Sequence, residues 1–289
     1  MRRVGMALLA LGMAGGAVLD LAPAPPPSAA AGWRVVQADF HVHSFFGDGT
    51  LSALHLLLEA RRRGLDAFAL TNHNQTVVAR ATRALSRAIG GPTVLVGEEI
   101  TAPRWHLIGV GLRETVAWRQ PLEAAIAAVH AQGGVAILAH PIGRYRSALT
   151  DTALAELDGT EVRHPVLEVA ARARQELEAV FAQARAHHPT AAAIGSSDDH
   201  GLGGLGDART CVFARDLSEE AIVEAIRAGR TVAVWRGEPF GDPGLVSALR
   251  APPPPPTRSP ARTAIGLVGW AGLAGLLLGR TPDKRAAGG

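Results

Sequence analysis

The stretch ADFHVHSFFGDGT, residues 38–50, places two histidines one residue apart. In an extended strand alternate side chains share a face, so His41 and His43 would point the same way while Val42 points into a core. Two imidazoles on one face can bind one divalent metal ion. The alternative is a half-buried strand that carries two histidines and no metal, and this stretch alone does not decide between them.

Further polar side chains follow other apolar runs, in positions typical of strand ends. They lie in GDG, TNHN, GEEI, WHLIG, LAHP and SSDDH, and the candidates are Asp48, His73, Glu98, Glu99, His106, His140, Asp198, Asp199 and His200. The chain has 11 histidines, and a majority occupy such positions. One histidine there usually makes only a hydrogen bond, but several beside carboxylates favour metal binding. We expect the other histidines to be solvated, namely His55, His130, His164, His187 and His188.

Short apolar runs alternate with helical patterns between residues 33 and 250. The predicted strands cover 34–41, 67–70, 93–96, 106–110, 135–139, 166–169, 191–194, 210–213 and 231–234. The predicted helices cover 52–63, 75–89, 121–131, 171–186 and 218–228. This alternation predicts an α/β fold with a parallel sheet, open or closed, whose strand ends carry the site. No G-x-G-x-x-G or G-x-x-x-x-G-K-[ST] motif follows a strand, so we expect no dinucleotide or Walker-type site.

The charge of the chain excludes one class of partner. The formal net charge is +3, but residues 32–250 hold 22 of the 29 basic groups and 24 of the 26 acidic ones. The basic excess therefore belongs to the two ends, and the central domain lacks the basic stripe that nucleic-acid binding needs. Cys211 is the one cysteine, which excludes an intrachain disulfide framework and a cysteine-based zinc knuckle.

The two ends of the chain predict export. Residues 1–31 combine Arg2 and Arg3 with an apolar run and a small-residue cleavage site, as a signal peptide does; an uncleaved N-terminal anchor is the alternative. Residues 251–262 predict a proline-rich linker. Residues 263–279 carry no charge and precede a basic tail, 280–289, which predicts a transmembrane helix with a cytoplasmic tail. We therefore expect an extracytoplasmic domain in the cell envelope, anchored to the membrane by the C-terminal helix.

Six motifs in series resemble the PHP (polymerase and histidinol phosphatase) family. That family's pattern is D-x-H-x-H-[TS] with SDG, then TDH, G-x-E, a downstream histidine, AHP and SD-x-H. The matching pieces here are DFHVHS with GDG, TNH, GEE, WHLIG, LAHP and SDDH, and they span about residues 38–213. The resemblance implies a distorted (β/α)7 TIM-like barrel over residues 33–250, with a site for two to three divalent metal ions.

The resemblance also implies which side chains are ligands. One ion would be held by His41, His43, Glu99 and Asp198, a second by Asp48, His73 and His200, and a third by Glu99, His106 and His140. Glu99 fills the family's G-x-E position, whereas Glu98 would point to the opposite face of its strand. Asp199 would support a ligand or be solvated. Mixed histidine and carboxylate ligands suit zinc, manganese or iron(II).

The implied reaction is hydrolysis of phosphoesters by a water molecule that clustered ions activate. The residues expected to act in it are His41, His43, Asp48, Glu99, Asp198 and His200. Phosphate substrates favour nearby arginines, and the candidates are Arg104, Arg144 and Arg146, with Asp207 and Arg209 as weaker ones. We expect a small phosphorylated or ester substrate and no nucleic-acid duplex.

Two departures from the family pattern leave alternatives open. Asn72 replaces the acid of TDH, which could lower the rate or alter metal preference without removing a ligand. Only 33 residues separate His106 from His140, which leaves room for one helix and predicts an open site. The other functions to consider are a metallohydrolase for carboxylic or carbamic esters and a metal-binding envelope module with weak catalysis.

Overall fold

The computed structural model describes residues 2–20, 28–165, 171–201, 204–249 and 260–278. Two compact units make up the chain. The larger unit is Ala24–Pro255, and the smaller one joins Met1–Pro23 with Pro256–Gly289. All the candidate ligands belong to the larger unit.

Strands and helices alternate through most of the larger unit. The strands are β1 Ser28–Ala30, β2 Trp33–Val42, β3 Ala67–Leu70, β4 Thr93–Ala102, β5 Trp105–Val110, β6 Val135–Leu138, β7 Gly159–Arg163, β8 Ala192–Gly195, β9 Ala208–Ala214, β10 Thr231–Trp235 and β11 Glu238–Gly241. The helices in the described part of the chain are α1 Arg2–Asp20, α2 Ala53–Arg62, α3 Val77–Ile89, α4 Leu122–Ala131, α5 Asp151–Glu156, α6 Ala171–His187, α7 Glu219–Arg227, α8 Pro243–Ala248 and α9 Pro260–Leu278.

Most predicted elements are confirmed within two residues of their bounds, but two predicted strands are not. The strand predicted over residues 93–96 continues in β4 to Ala102, so that Glu98 and Glu99 lie within it. The strand predicted over residues 166–169 lies outside the described residues. The strand of that region is β7, a few residues earlier, which the sequence pattern did not predict. Gly64 and Gly229 follow α2 and α7 with φ of 68° each, the left-handed conformation that favours glycine after a helix.

The sheet is mixed, so the prediction of a parallel sheet is wrong in part. Its strand order is β11-β10-β9-β2-β3-β4-β5-β6-β7-β8, with β1 paired to β2. The pairs β2–β3, β3–β4, β6–β7 and β7–β8 are parallel, whereas β4–β5, β5–β6, β2–β9, β9–β10 and β10–β11 are antiparallel. Loop length explains the difference for β4 and β5, because the two residues Pro103 and Arg104 cannot form the crossover that parallel strands require.

The sheet curls into a nearly closed, barrel-like form. The end strand β8 approaches β9 through a side chain: Gly195 N donates to Thr210 Oγ1 at 3.0 Å, and that hydroxyl donates to Gly195 O at 2.8 Å. A Cβ atom at residue 195 would lie 2.5 Å from Arg209 O, so only glycine permits this approach. The fold is therefore α/β and barrel-like, but it is not seven repeats of a parallel βα unit.

A change of register in β2 turns the two histidines toward the inside of the sheet. Val36, Ala38 and Phe40 belong to the apolar cluster that contains Ile108 and Ile137, whereas Val42 packs in a separate cluster with residues of α2 and α3. The pairing of β2 with β3 shifts between Asp39 and Val42. Such an irregularity re-aims side chains, so His41 and His43 share the face that Phe40 occupies earlier in the strand.

The smaller unit is a pair of helices, α1 and α9, in close contact. A Cβ atom at Gly12 would lie 2.4 Å from Gly269 Cα, and one at Gly272 would lie 2.3 Å from Leu9 N. The two backbones therefore approach each other through glycine, as small residues allow.

The transmembrane helix predicted over residues 263–279 is not supported. A helix does cover most of that range, but no helix in the described part of the chain is long and apolar enough to cross a membrane. Most of the linker 251–262 and the tail 280–289 lie outside the described residues. The signal segment over residues 1–31 stays a prediction.

Closure of the sheet at Gly195 can be tested by stability. Gly195→Ala should lower the free energy of unfolding by up to about 3 kcal/mol, because its Cβ must displace the Arg209 backbone. The control is Gly133→Ala, where φ is 82° and no atom lies within 4 Å of the new Cβ; backbone strain alone should cost about 1 kcal/mol. Urea denaturation measures both variants, and an equal loss in the two would contradict the close approach of β8 to β9.

Candidate metal centre

The first group of side chains surrounds one buried point at the end of β2. His41 Nε2 lies 3.3 Å from Glu99 Oε2 and 3.2 Å from Asp198 Oδ1. His43 Nε2 lies 3.5 Å and 3.2 Å from the same two oxygens. Both histidines are fully buried and Glu99 is nearly so. Strand β4 supplies Glu99, and the segment after β8 supplies Asp198.

A second group lies toward the solvent and centres on Asp48, in the loop after β2. Asp48 Oδ1 is 3.1 Å from His43 Nδ1, and Asp48 Oδ2 is 3.1 Å from His73 Nε2 and 3.2 Å from His200 Nε2. About half of the Asp48 side chain and a third of the His73 and His200 side chains are exposed. This end of the cluster is therefore exposed to solvent in the described part of the chain.

The third group uses the other oxygen of Glu99. His106 Nδ1 lies 2.7 Å from Glu99 Oε1, and His140 Nε2 lies 3.1 Å from it. His73 Nδ1 also reaches Glu99 Oε2, at 2.8 Å. The structure thus brings all the predicted ligands into one cluster. Glu99 contacts at least one histidine of each of the three groups.

These residues fit divalent metal ions on two observations. His41 Nε2, both ring nitrogens of His43 and Asp198 Oδ1 are buried and have no hydrogen-bond partner among the described residues. Buried polar atoms are rarely left so. Ligand atoms about 2.1 Å from a tetrahedral zinc ion lie about 3.4 Å from one another. The nitrogen–oxygen distances of the first group, 3.2–3.5 Å, have that spacing.

Charge inside the cluster keeps its carboxylates ionised. Burial by itself would raise the pKa of Glu99, but attraction to His41 and hydrogen bonds with His106 and His140 hold that pKa well below its usual range. The pKa of Asp198 is likewise held well below its usual range against burial, by His41, His164 and His43. Burial lowers the pKa of His43, which favours the neutral ring that a metal ion needs.

Two buried side chains at the end of β7 were missed in the sequence. Glu161 Oε1 lies 2.9 Å from His41 Nδ1, and His164 Nε2 lies 3.5 Å from Asp198 Oδ2. His164 is 1% exposed, so the prediction that it is solvated is wrong. The strand was predicted over residues 166–169, which placed both residues outside it. The available signal was the sequence TEVRHP, which puts a carboxylate and a histidine before a proline, much as LAHP does with His140.

The other histidines outside the cluster are more exposed. His55, His130 and His187 are exposed, as predicted, and His188 is partly buried with Nδ1 2.8 Å from Leu157 O. His130 Nε2 lies 2.7 Å from Asp158 Oδ2, and this hydrogen bond raises the pKa of His130.

The predicted substrate arginines differ in their relation to the cluster. Tyr145 packs on His106 and His140 with ring centroids 4.3 Å and 5.4 Å apart, and Arg144 stacks on Tyr145 and donates to its hydroxyl at 2.9 Å. Arg104 instead donates to Ser147 O at 2.7 Å. Arg146 is exposed. Tyr145 was not predicted, although it stands between Arg144 and Arg146 in GRYR.

Asn72 and Glu98 have structural contacts rather than places among the ligands. Asn72 Oδ1 accepts from Ser44 N and Asn72 Nδ2 donates to Ser44 Oγ, both at 2.8 Å, so the amide holds the loop after β2. Glu98 faces away from Glu99, as strand alternation predicted, and accepts from Val116 N at 3.1 Å. Burial raises the pKa of Glu98 to about 7.

The weaker candidates after β8 are also bound elsewhere. Asp199 is buried, and its Oδ1 accepts from Gly201 N at 3.0 Å and from Gly204 N at 3.2 Å. Asp207 accepts from Arg63 at 2.5 Å, and Arg209 donates to Gly206 O at 2.8 Å. These contacts shape the loop that carries Asp198 and His200.

Comparison with known proteins gives evidence on the family of the chain. The family model described as PHP-associated matches residues 181–231. An uncharacterized protein of Methanocaldococcus jannaschii is 30% identical over 139 residues, which are 44% of this chain and 81% of that protein. A phosphoribosyl 1,2-cyclic phosphate 1,2-diphosphodiesterase of Eggerthella lenta is 34% identical over 82 residues, or 26% of this chain and 31% of that protein. The chain thus matches about a third of the length of the latter enzyme.

A solved structure shows the same fold. A two-domain protein from Bacteroides vulgatus, described as containing a predicted PHP-like metal-dependent phosphoesterase, aligns with a TM-score of 0.58 at 22% identity. The alignment covers 78% of this chain and 72% of that one. At this identity the likeness shows the fold alone.

Metal removal should destabilise the protein. Ions that satisfy the buried atoms of the first group bind the folded state, and at a free concentration 100 times Kd they add about 2.7 kcal/mol to the free energy of unfolding. Treatment with a chelator should therefore lower Tm, and adding Mn²⁺ or Zn²⁺ should restore it. The shift should be lost in a variant with Glu99→Gln and kept in the control His55→Ala. An identical Tm with and without ions would contradict a metal centre.

Proposed function

The chain belongs to the PHP family, and from this membership we propose that it is a metal-dependent phosphoesterase. The observation that carries the proposal is the convergence of five histidines on the two oxygens of Glu99, at nitrogen–oxygen distances of 2.7–3.5 Å. A cluster of this kind in the interior of a protein is a strong indication of bound metal.

The proposed site holds two to three ions of zinc, manganese or iron. The first would be held by His41, His43, Glu99 and Asp198, the second by Asp48, His73 and His200, and the third by Glu99, His106 and His140. Ions bound there would lower the pKa of a water molecule and offset negative charge on phosphoryl oxygens. The hard carboxylates and the imidazoles together suit these metals better than magnesium.

The two ends of the cluster would have different roles in binding the substrate. Asp48, His73 and His200 lie at the solvent-exposed end, where water and substrate can enter. Tyr145 packs on His106 and His140, and its hydroxyl accepts a hydrogen bond from Arg144. An arginine in this place can bind a phosphate anion through its planar fork of donors. We therefore assign substrate binding to Arg144 ahead of Arg104, whose guanidinium is bound to Ser147.

The substrate we propose is a small phosphate ester, and not a nucleic-acid duplex. The Eggerthella lenta relative is a cyclic-phosphate diesterase by name, which makes cyclic and acyclic phosphodiesters part of the test. An extracytoplasmic location is proposed on the N-terminal sequence alone.

A second function, hydrolysis of carboxylic or carbamic esters, is favoured by one observation. Phe45 and Phe46, in the loop that carries Asp48, are 65% and 69% exposed. Exposed aromatic side chains beside a site can bind an apolar group. The weakly active binding module stays an alternative, and Asn72, which prompted it, makes both of its hydrogen bonds to Ser44.

Loss of a ligand should remove activity together with metal. In His41→Ala and His140→Ala, elemental analysis should find fewer ions per chain than in the wild-type protein. Turnover of a phosphomonoester and of phosphodiesters should fall by at least about 100-fold, since a ligand contributes to the charge stabilisation of the transition state. His55→Ala, at an exposed helical histidine, should change neither value. Metal without release of phosphate, but with release of acid from carboxylic esters, would favour the second function.

Loss of the proposed phosphate arginine should act on substrate affinity. Arg144→Ala should raise KM for a phosphoester by about 10- to 100-fold, the effect of losing a charge-assisted hydrogen bond, with the metal content unchanged. Arg87→Ala, a change of an arginine that is 71% exposed on α3, is the control. Equal KM values in the wild-type protein and Arg144→Ala would remove Arg144 from the substrate site, while an effect of Arg104→Ala would transfer the role to Arg104.

A further inference from the structure

The end of β7 brings a carboxylate against the outer side of a ligand histidine. Glu161 is fully buried, and its Oε1 lies 2.9 Å from His41 Nδ1. The Ser196 hydroxyl donates to the same oxygen, and His140 N donates to Glu161 Oε2 at 2.5 Å. Glu161 is therefore fixed by contacts with β2 and with the segments that follow β6 and β8.

This contact determines which nitrogen of His41 is free. In the neutral ring that metal binding requires, the Nδ1–H group donates a hydrogen bond to this carboxylate, which leaves the lone pair on Nε2. Nε2 is the atom that faces Glu99 and Asp198, at 3.3 Å and 3.2 Å. Glu161 is thus placed to set both the tautomer and the ring orientation of His41.

His164 stands in the same relation to Asp198. Its Nε2 lies 3.5 Å from Asp198 Oδ2, while Asp198 Oδ1 faces His41 and His43 at 3.2 Å each. One carboxylate oxygen is therefore turned toward His164 and the other toward the ligand group. Asp198 also has a φ of 52°, a conformation that a non-glycine residue keeps only when its surroundings hold it.

We propose that Glu161 and His164 are positioning residues that orient His41 and Asp198, and that they raise the metal affinity of the first ligand group. This proposal rests on the proposed metal-dependent function. It differs from direct ligation, in which Glu161 or His164 would itself bind an ion and its loss would remove that ion.

The test measures metal affinity in the full-length chain rather than activity. The variants are Glu161→Gln, His164→Leu and His164→Asn, and the control is Glu98→Gln, a buried carboxylate that faces away from the cluster. Competition with a chromogenic chelator gives the Kd for Zn²⁺, and elemental analysis at saturation gives the number of ions. Absorbance of the Co²⁺-substituted protein reports the geometry around the ion.

A positioning role predicts weaker binding with an unchanged number of ions. Glu161→Gln and His164→Leu should raise Kd by about 10- to 100-fold and alter the Co²⁺ spectrum. His164→Asn should lose less, because its amide can still donate toward Asp198. Glu98→Gln should leave Kd and the spectrum unchanged. If Glu161→Gln fails to fold, the comparison of His164→Leu with His164→Asn still decides.

The contrary outcomes are distinct from one another. A wild-type protein that binds no ion would overturn the proposed function and this proposal with it. A wild-type protein that binds ions, with Kd unchanged in Glu161→Gln and His164→Leu, would overturn only the positioning role. Loss of one ion at saturation in either variant would replace positioning by direct ligation.

Discussion

The Glu99 side chain is a carboxylate with 1% exposure, and its burial requires compensating charges and hydrogen bonds from the surrounding strands. An ionised carboxylate is very costly to bury unless charges or hydrogen bonds compensate for the lost water. Five histidines supply that compensation, from β2, β5 and the segments after β3 and β6. No one strand could carry so many rings to one point, so the compensation requires several strand ends at one edge of a curled sheet.

The convergence of the histidine rings on Glu99 is accompanied by irregular backbone conformations. β2 changes register between Asp39 and Val42, where its histidines turn inward. His140 and Asp198 have φ values of 28° and 52°, outside the regions that residues with a Cβ prefer. Strain of this kind costs about 1–3 kcal/mol for each residue and persists where surrounding contacts hold it. At His140 one such contact is the hydrogen bond from its backbone N to Glu161.

The ligand cluster could be predicted because its residue types stand out at strand ends. His41, His73 and Asp198 lie in short motifs, and the fold brings them together as the motif order indicated. Glu161 and His164 could not be placed in the same way. β7 reads GTEVR, which is too polar for a strand of a core, yet every residue in it is buried. A strand that faces a polar cluster loses the apolar pattern by which strands are recognised. Antiparallel neighbours such as β4 and β5 depend on loop length, which the alternation of strands and helices did not reveal.

The unequal exposure across the cluster has a kinetic consequence. His41 and His43 are fully buried, whereas about half of the Asp48 side chain is in solvent. At the proposed site, an ion held at Asp48 would be open to water and competing small ligands, whereas an ion held at His41 would be enclosed by protein. The residence time of a bound ion would therefore be longer at His41 than at Asp48, and the occupancy at Asp48 would follow the metal concentration of the surroundings more closely.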